Sequence, residues 1–364
     1  MVKFVKTQSH RPDLILLSTV VGLVLFGLLM VYNASPVTSL RDFGDPLYLI
    51  RFQAIWALIG LVLGIAIYKI PYPFWQKAAP FLFVLALVIL LCVFIPGLGA
   101  KIYGAQRWIR VGPIGVQPAE FAKLAYIIYL SALLSKKAKL TPFLIVTGII
   151  TAIVLAQKDM GTTLIIAVIG FSLYFVAGGA IRHFIALVPV MVAAVTLLIL
   201  TSPYRKARLL AFLNPNLDPE GITYHISQAL IALGSGGFFG VGLGESRQKY
   251  GFIPEVTTDS IFAVIGNELG FFGSFLVIAA FLLIIYRGFK IAFSAPDKFS
   301  FLVASGVTIW ISIQAFINIA GLSAVLPLTG VPLPFISYGG SSLVSIFFAM
   351  AILLNISRLT KTRT

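Results

Sequence analysis

The sequence predicts an all-α polytopic membrane protein with ten transmembrane helices and a large extracytoplasmic loop between helices 7 and 8. Three observations carry that prediction. Of the 364 residues, 59% are hydrophobic and 11% are charged, against roughly 25% charged residues in soluble domains. The apolar residues fall into runs close to the roughly 20 residues that cross a bilayer as a helix. Lysine and arginine are dense in alternate connections, the pattern that orients membrane proteins with positive charge inside.

In chain order, Lys3, Lys6 and Arg11 precede the first run, 14–32. Its apolar core exceeds the about 7–15 residues of a cleaved signal sequence, so it reads as an uncleaved first helix. Further runs cover 50–68, 78–96, 118–135, 142–157, 162–179, 184–201, 260–286, 300–326 and 338–357. The runs 142–157 and 162–179 are short and meet at Gln157, Lys158, Asp159 and Gly161, which fits either one broken pair or a tight hairpin. Ten spans return the chain to its starting side. That side carries Lys69, Lys77, Lys136, Lys137, Lys139, Arg182, Arg287, Lys290 and Lys298, with Arg358, Lys361 and Arg363 at the end. Its only acids are Asp13 and Asp297, so both termini are expected in the cytoplasm. One membrane domain over 1–364 is expected, with 202–258 as its large outer loop.

Composition also excludes. The chain holds 27 Lys+Arg against 12 Asp+Glu, net +15. In a membrane protein this excess reports orientation and anionic lipid, and no nucleic-acid-binding motif accompanies it. Cys92 is the only cysteine, so no disulfide forms within the chain. His10, His183 and His225 are scattered without metal-ligand spacing and read as solvated or interfacial. The sequence implies no cofactor and leaves a divalent-cation requirement open. No internal repeat supports a transporter built of inverted halves.

The outer connections break the charge rule. They contain Lys101, Arg107, Arg110, Lys158, Arg205, Lys206, Arg208, Arg247 and Lys249, a basic surface suited to an anionic phosphate or pyrophosphate headgroup. Four stretches concentrate chemistry there. In GFIPEVTTDSIFAVIGNELGFFG (251–273), Glu255, Thr258 and Asp259 mark the junction between a polar loop and an apolar helix, and Glu268 lies about two and a half turns further in. Asp259 either caps that helix or serves a substrate. In GAQRWIRVGPIGVQPAEFAKLA, Trp108 stands between Arg107 and Arg110, Gln117 precedes a helix that starts at Pro118, and Glu120 and Lys123 share one helix face. In QKDMGT, Asp159 is placed to cap the next helix or to hold a cation. In PLTGVPLPFISYGGSS (327–342), prolines and glycines forbid a regular helix, and Ser337, Tyr338, Ser341 and Ser342 offer hydrogen bonds. Within 202–258, a basic amphipathic segment and a short helix precede GSGGFFGVGLGESRQKYG, whose seven glycines between 234 and 251 are a weak signal for a phosphate nest.

Read together and in this order, RWIRVGPIGVQPAEFAKL, QKDMGT, ALIALGSGGFFGVGLGESRQK, IPEVTTDSIFAVIGNELG and PLTGVPLPFISYGGSS resemble the FtsW/RodA/SpoVE (SEDS) family of bacterial cell-wall synthesis over nearly the whole chain. The GVGLGESRQK stretch is closer to its FtsW branch than to its RodA branch. The resemblance implies a ten-helix peptidoglycan glycosyltransferase of the cytoplasmic membrane, at the division septum. It implies polymerisation of lipid II beside a class B penicillin-binding transpeptidase and other divisome membrane proteins. It places the family's essential aspartate at Asp259 and matches family positions at Trp108, Gln117, Glu120, Lys123, Asp159, Glu255 and Glu268. This chain has Thr257 where the family usually has His, Ser260 for Phe, Asn267 for Glu and Lys158 for Pro.

The expected chemistry is glycan transfer from a polyprenyl-pyrophosphate donor to a sugar hydroxyl, with inversion. The leaving group already carries pyrophosphate, so one carboxylate, Asp259, suffices as general base. Arg110, Lys123 and Arg208 are the candidate stabilisers of the departing charge. The expected substrate-binding set is Trp108, Arg110, Gln117, Glu120, Lys123, Asp159, Arg208, Lys249, Glu255, Thr258, Glu268 and Ser337, with no metal ligand. Small-residue faces at Ala279, Ala280, Ala304 and Gly306 are candidate docking sites for the transpeptidase. Two other functional classes use the same groups: a lipid II flippase and a non-catalytic divisome scaffold. A flippase requires a polar path through the full membrane thickness, whereas the polar residues here cluster on one side.

Overall fold

The computed structural model describes residues 11–102, 105–112, 114–214, 221 and 223–359. Lys3, Lys6, His10, Lys361 and Arg363 lie outside the described residues. Asp13 opens the first helix: its carboxylate accepts the Leu16 amide at 2.9 Å, filling one of the donor positions that a helix start leaves open. Helix α1 (Leu14–Ala34) follows, then the short α2 (Pro36–Phe43), α3 (Tyr48–Lys69) and α4 (Tyr72–Cys92). Strands β1 (Gly99–Ile102), β2 (Ala105–Val111) and β3 (Ile114–Val116) precede α5 (Pro118–Lys136), α6 (Leu140–Ala156), α7 (Met160–Val176) and α8 (Ile181–Leu200). After α9 (Pro203–Leu213) and α10 (Tyr224–Ser235) come α11 (Ile261–Phe293), α12 (Lys298–Leu322) and α13 (Gly340–Ser357).

A helix occupies each of the ten predicted runs. Seven of them, α1, α3, α4, α8, α11, α12 and α13, are long and apolar enough to cross a membrane. Helices α6 and α7 are apolar with 17 residues each, and α5 has 19 residues and carries Glu120 and Lys123. The short pair α6 and α7 is a hairpin whose turn puts Lys158 in the left-handed region, φ 62°. Helices α5, α12 and α13 form the centre, buried along most of their length, while α8 buries no residue. Ala304 and Gly306 of α12 therefore offer no docking face: Ala304 is buried, and Gly306 packs against Ile127 and Leu173. Helix α11 instead exposes an aromatic stripe through Phe271, Phe275 and Tyr286.

The expectation of purely helical structure fails at one place. The three strands form an antiparallel sheet of order β1-β2-β3, with Ala100 opposite Trp108 and Arg110 opposite Gly115. The AQRWIRV segment alternates Gln106, Trp108 and Arg110 with Arg107 and Ile109, and Gly112 turns at φ 62°, so period-two strand structure wins over a helix.

Polar contacts fasten both ends of the bundle. At one end Arg287 of α11 pairs with Asp13, its Nε donating at 2.8 Å, and Asn355 of α13 donates to the Tyr68 carbonyl at 2.8 Å. At the other, which carries residues 202–258, Gln53 donates to the Ser337 carbonyl at 3.2 Å and accepts the Gly339 amide at 3.1 Å. The irregular segment 327–342 is largely buried by protein over 331–337 and lines a cleft at 328–331, the two settings in which irregular backbone at membrane depth is tolerated. Leu333, Phe335 and Ile336 are buried, and a methyl group on Gly27 of α1 would lie 2.5 Å from the Phe335 carbonyl oxygen.

Candidate functional site

Asp259 stands one residue before the N-cap of α11, and it is not the cap. Ser260 holds the N-cap position, yet its side chain makes no capping hydrogen bond. Its hydroxyl donates instead to the Pro254 carbonyl at 2.8 Å. The turn before it is closed by the Thr258 and Ser260 amides, both donating to the Glu255 carbonyl, with Glu255 at φ 49°. Asp259 is left with its Oδ1 accepting from the Thr258 hydroxyl at 3.2 Å and its main-chain carbonyl accepting from Asn318 Nδ2 at 2.7 Å. The single Thr258 proton is shared with the Glu255 carboxylate, whose Oε2 lies 2.9 Å from the same hydroxyl.

The Asp259 carboxylate faces a narrow cleft lined by Asn318, Leu322, Leu328, Thr329, Gly330 and Val331. Arg208 of α9 reaches the same cleft and donates to the Leu328 carbonyl at 2.9 Å. A methyl group built on Gly330 would lie 3.5 Å from Asp259 Oδ2 and 3.9 Å from Arg208 Nη1, so glycine at φ 69° keeps this space clear between acid and base. Burial pushes the Asp259 carboxyl above its ordinary range, while its own amide, the Thr258 hydroxyl and Arg208 pull the other way. The result is an aspartate more basic than an exposed one, with a guanidinium beside it.

A polar chain leads from this cleft into the bundle. Asn318 Nδ2 also donates to the Val331 carbonyl at 2.8 Å, and one turn earlier on α12 Gln314 Nε2 donates to the Pro332 carbonyl at 3.1 Å. Gln314 Oε1 accepts from Lys123 Nζ at 2.8 Å and from the indole of Trp310 at 2.7 Å. Lys123 pairs with Glu120 at 2.9 Å and lies 4.8 Å from the Trp310 ring centroid. The expected Glu120–Lys123 pair thus exists, and it supports the 329–332 wall of the cleft from behind.

A second cluster adjoins the same wall. Gln117 Nε2 donates to Asp159 Oδ2 at 3.2 Å, and Asp159 caps α7 through the Thr162 amide at 3.1 Å. Arg107 lies 3.9 Å from Asp159 and donates to the Lys158 carbonyl. Asp159 therefore both caps and holds an arginine. Gly161 brings the cluster to the cleft, since a methyl group there would lie 2.7 Å from Val331 and 3.1 Å from the Thr329 carbonyl. Trp108 rests over Gly115, and Arg110 is exposed on the sheet.

Two expected site residues lie elsewhere in the network. Lys249 donates to Asn33 at 2.7 Å, to the Gly244 carbonyl at 2.7 Å and to Glu268 at 3.1 Å, and Asn33 also donates to Glu268. Gly270 breaks α11 two residues after Glu268, at φ 65°, ψ −161°, and Glu268 sits at the loop end of α1 beside Asn33. The glycine-rich segment makes that break possible. Gly240 and Gly270 pack backbone on backbone, and the amides of Val241 and Gly242 bond the carbonyls of Asn267 and Glu268. Gly240, one of the seven glycines read as a weak signal for a phosphate nest, thus serves close packing. Asn267, in place of the family's Glu, donates to the Ala232 carbonyl at 3.1 Å and to Ser235 at 2.8 Å, which a carboxylate cannot do. Ser337 accepts the Leu333 amide at 2.8 Å and fixes the 333–337 turn.

Three contributors were missed in the sequence. Gln314 and Asn318 are amides four apart inside an apolar run, and that spacing in a membrane helix is itself a signal. His225, read as solvated or interfacial, is half-buried and hydrogen-bonded to Ser260. No cluster of three or more His, Cys, Asp or Glu suited to a metal is found among the described residues.

The chain is similar to known proteins along its length. The FtsW/RodA/SpoVE family of cell cycle proteins matches residues 14–362. The probable peptidoglycan glycosyltransferase FtsW of Trichlorobacter lovleyi is 42% identical over 354 residues, 95% of this chain and 93% of that one. Stage V sporulation protein E of Bacillus subtilis is 39% identical over 98% of this chain and 99% of its own. Among solved structures, a chain of a peptidoglycan synthase complex that coordinates polymerization and crosslinking superimposes with a TM-score of 0.80 at 25% identity, over 95% of this chain and 98% of its own. The chain belongs to the FtsW/RodA/SpoVE family of cell cycle proteins.

Proposed function

We propose that this protein is a peptidoglycan glycosyltransferase that polymerises lipid II at the outer face of the cytoplasmic membrane, at the division septum. The names of its relatives support the activity. The observation that carries the reading is the Asp259 carboxylate, relieved of capping and held beside Arg208 in a cleft at the loop end. In the proposed step, Asp259 takes the proton of the acceptor sugar hydroxyl. The hydroxyl oxygen then bonds to the anomeric carbon of the donor, and the carbon–oxygen bond to pyrophosphate breaks with inversion. The pyrophosphate leaves with the electron pair. Arg208 is the cation closest to hand for the developing charge. Lys123 acts from behind the cleft wall, and Arg110, exposed on the sheet, is placed to meet the headgroup on arrival.

Ten membrane spans in a single domain with both termini in the cytoplasm put this cleft outside, where lipid II presents its sugars. A class B penicillin-binding transpeptidase is the proposed partner, since the chain resembles part of a synthase complex that couples polymerization to crosslinking. Among the described residues, Glu120, Lys123, Asp159, Lys249 and Glu268 are buried at the loop end, whereas the opposite end buries only the Asp13 carboxylate, neutralised by Arg287. That distribution favours a reaction site on one face over a flippase path. Purified protein with a transpeptidase partner and lipid II in detergent distinguishes them, because detergent leaves no two sides to transport between. Glycan polymer in the detergent reaction is the expected result. Its absence, with lipid II translocation in sealed vesicles, would replace the enzyme with the transporter.

A further inference from the structure

Ser260 Oγ has two close neighbours, the Pro254 carbonyl oxygen at 2.8 Å and His225 Nε2 at 2.6 Å. A carbonyl only accepts and a hydroxyl has one proton, so that proton goes to Pro254. The His225 contact is then a hydrogen bond only if Nε2 carries a proton and donates. One tautomer of the neutral ring satisfies both contacts. Burial, followed by Arg208, depresses the His225 pKa to about 4, with Glu255 opposing, so the ring is neutral at pH 7.

The bond acts on the turn that carries the site. Glu255 is held in a left-handed conformation, which persists in a non-glycine residue only where surrounding contacts over-determine it. Those contacts are the two amides on the Glu255 carbonyl and the Ser260–Pro254 bond. His225, from the separate helix α10, clamps the last of them. Asp259 is thus fixed twice on its C-terminal side, by Asn318 at its own carbonyl and by His225 at the residue after it. Ser260 forgoes the capping bond that its position invites in order to make this link.

We infer that His225 is a positioning residue for Asp259, acting through Ser260 to hold the 254–260 turn in its reactive geometry. This rests on the proposed glycosyltransfer. The test uses full-length protein with its partner, as wild type, His225→Ala, His225→Gln, Ser260→Ala and the double variant His225→Ala/Ser260→Ala. Loss of alignment is expected to lower kcat by roughly 10- to 100-fold in each single alanine variant, with KM for lipid II unchanged. The double variant is expected to be no worse than Ser260→Ala, and His225→Gln, which keeps a side-chain N–H donor of comparable reach, is expected to recover most of the rate. Additive losses, or a raised KM at unchanged kcat, would overturn the inference. A second readout needs no activity. In protein labelled with 15N-histidine in lipid bilayers at pH 7, the His225 signal, identified by its loss in His225→Gln, is expected to report the Nε2–H tautomer and to shift in Ser260→Ala. The Nδ1–H tautomer, or a signal indifferent to Ser260, would overturn it even if wild-type protein formed no polymer, an outcome that counts separately against the glycosyltransferase reading.

Discussion

Asp259 and Lys123 bury charge for different ends, and substitution separates them. Burial pushes the Asp259 carboxyl up, and its own amide, the Thr258 hydroxyl and, least, Arg208 oppose that push. A general base works deprotonated, so polymerisation falls as pH drops through the Asp259 pKa. Arg208→Met removes the smallest of the three lowering influences, and the acid limb of the rate–pH profile is expected to move modestly to higher pH; a limb that moves to lower pH would contradict this placement of Arg208. Lys123 instead neutralises Glu120 where neither reaches solvent. Lys123→Met leaves a buried carboxylate unpaired and is expected to cost about 3–5 kcal/mol of stability, and Glu120→Gln in the same chain is expected to restore part of it. Thermal unfolding of the purified variants measures both. The two charged groups were legible in the sequence because a charge in an apolar run is expensive and therefore conspicuous. His225 was not, because what makes it functional is Ser260, 35 positions away.

At the scale of elements, the break in α11 rests on Gly270. Gly270 has φ 65°, and a methyl group there would lie 2.4 Å from the Gly240 amide nitrogen and 2.6 Å from the Phe238 carbonyl oxygen. Gly270→Ala is expected to destabilise by at least about 1–3 kcal/mol from its backbone conformation alone, with the clash in addition. Gly22→Ala on α1, where nothing lies within 4 Å, is the control and is expected to change stability by no more than about 1 kcal/mol. Equal melting temperatures for the two variants would contradict the role given to the break. The helices themselves were legible because a bilayer-length apolar run has few other fates. The break and the sheet were harder to see. The glycine-rich segment matches residues some thirty positions further on, and composition alone does not distinguish a glycine that admits backbone from one that admits phosphate. In 99–116 the strand alternation was present, but Trp108 between two arginines drew the reading toward a membrane anchor.

For the whole molecule, the distribution of lysine and arginine supports the proposed orientation. Cytoplasmic termini and an outer 202–258 predict that single cysteines placed in a Cys92→Ser background react with an impermeant reagent in intact cells at Arg247 and not at Lys137. The reverse pattern would invert the topology and put the cleft on the wrong side for extracytoplasmic polymerisation. Of the two helices expected to dock a membrane-anchored partner, α12 is buried and α11 exposes a stripe, so cross-linkers at Phe275 are expected to capture the proposed transpeptidase where cross-linkers at Ala304 do not. The central claim, that Asp259 is the base for glycan transfer, is tested most directly by Asp259→Asn. Asn keeps the size of the side chain, and the structure gives Asp259 no capping bond to lose. The variant is therefore expected to fold, bind lipid II and recruit its partner. Loss of a general base typically costs about 10²–10⁴ in rate. Polymer formation from lipid II in detergent, with wild type and Asp259→Asn measured side by side, should show polymer from the first and a loss of that size in the second. Equal polymer from both would contradict the claim.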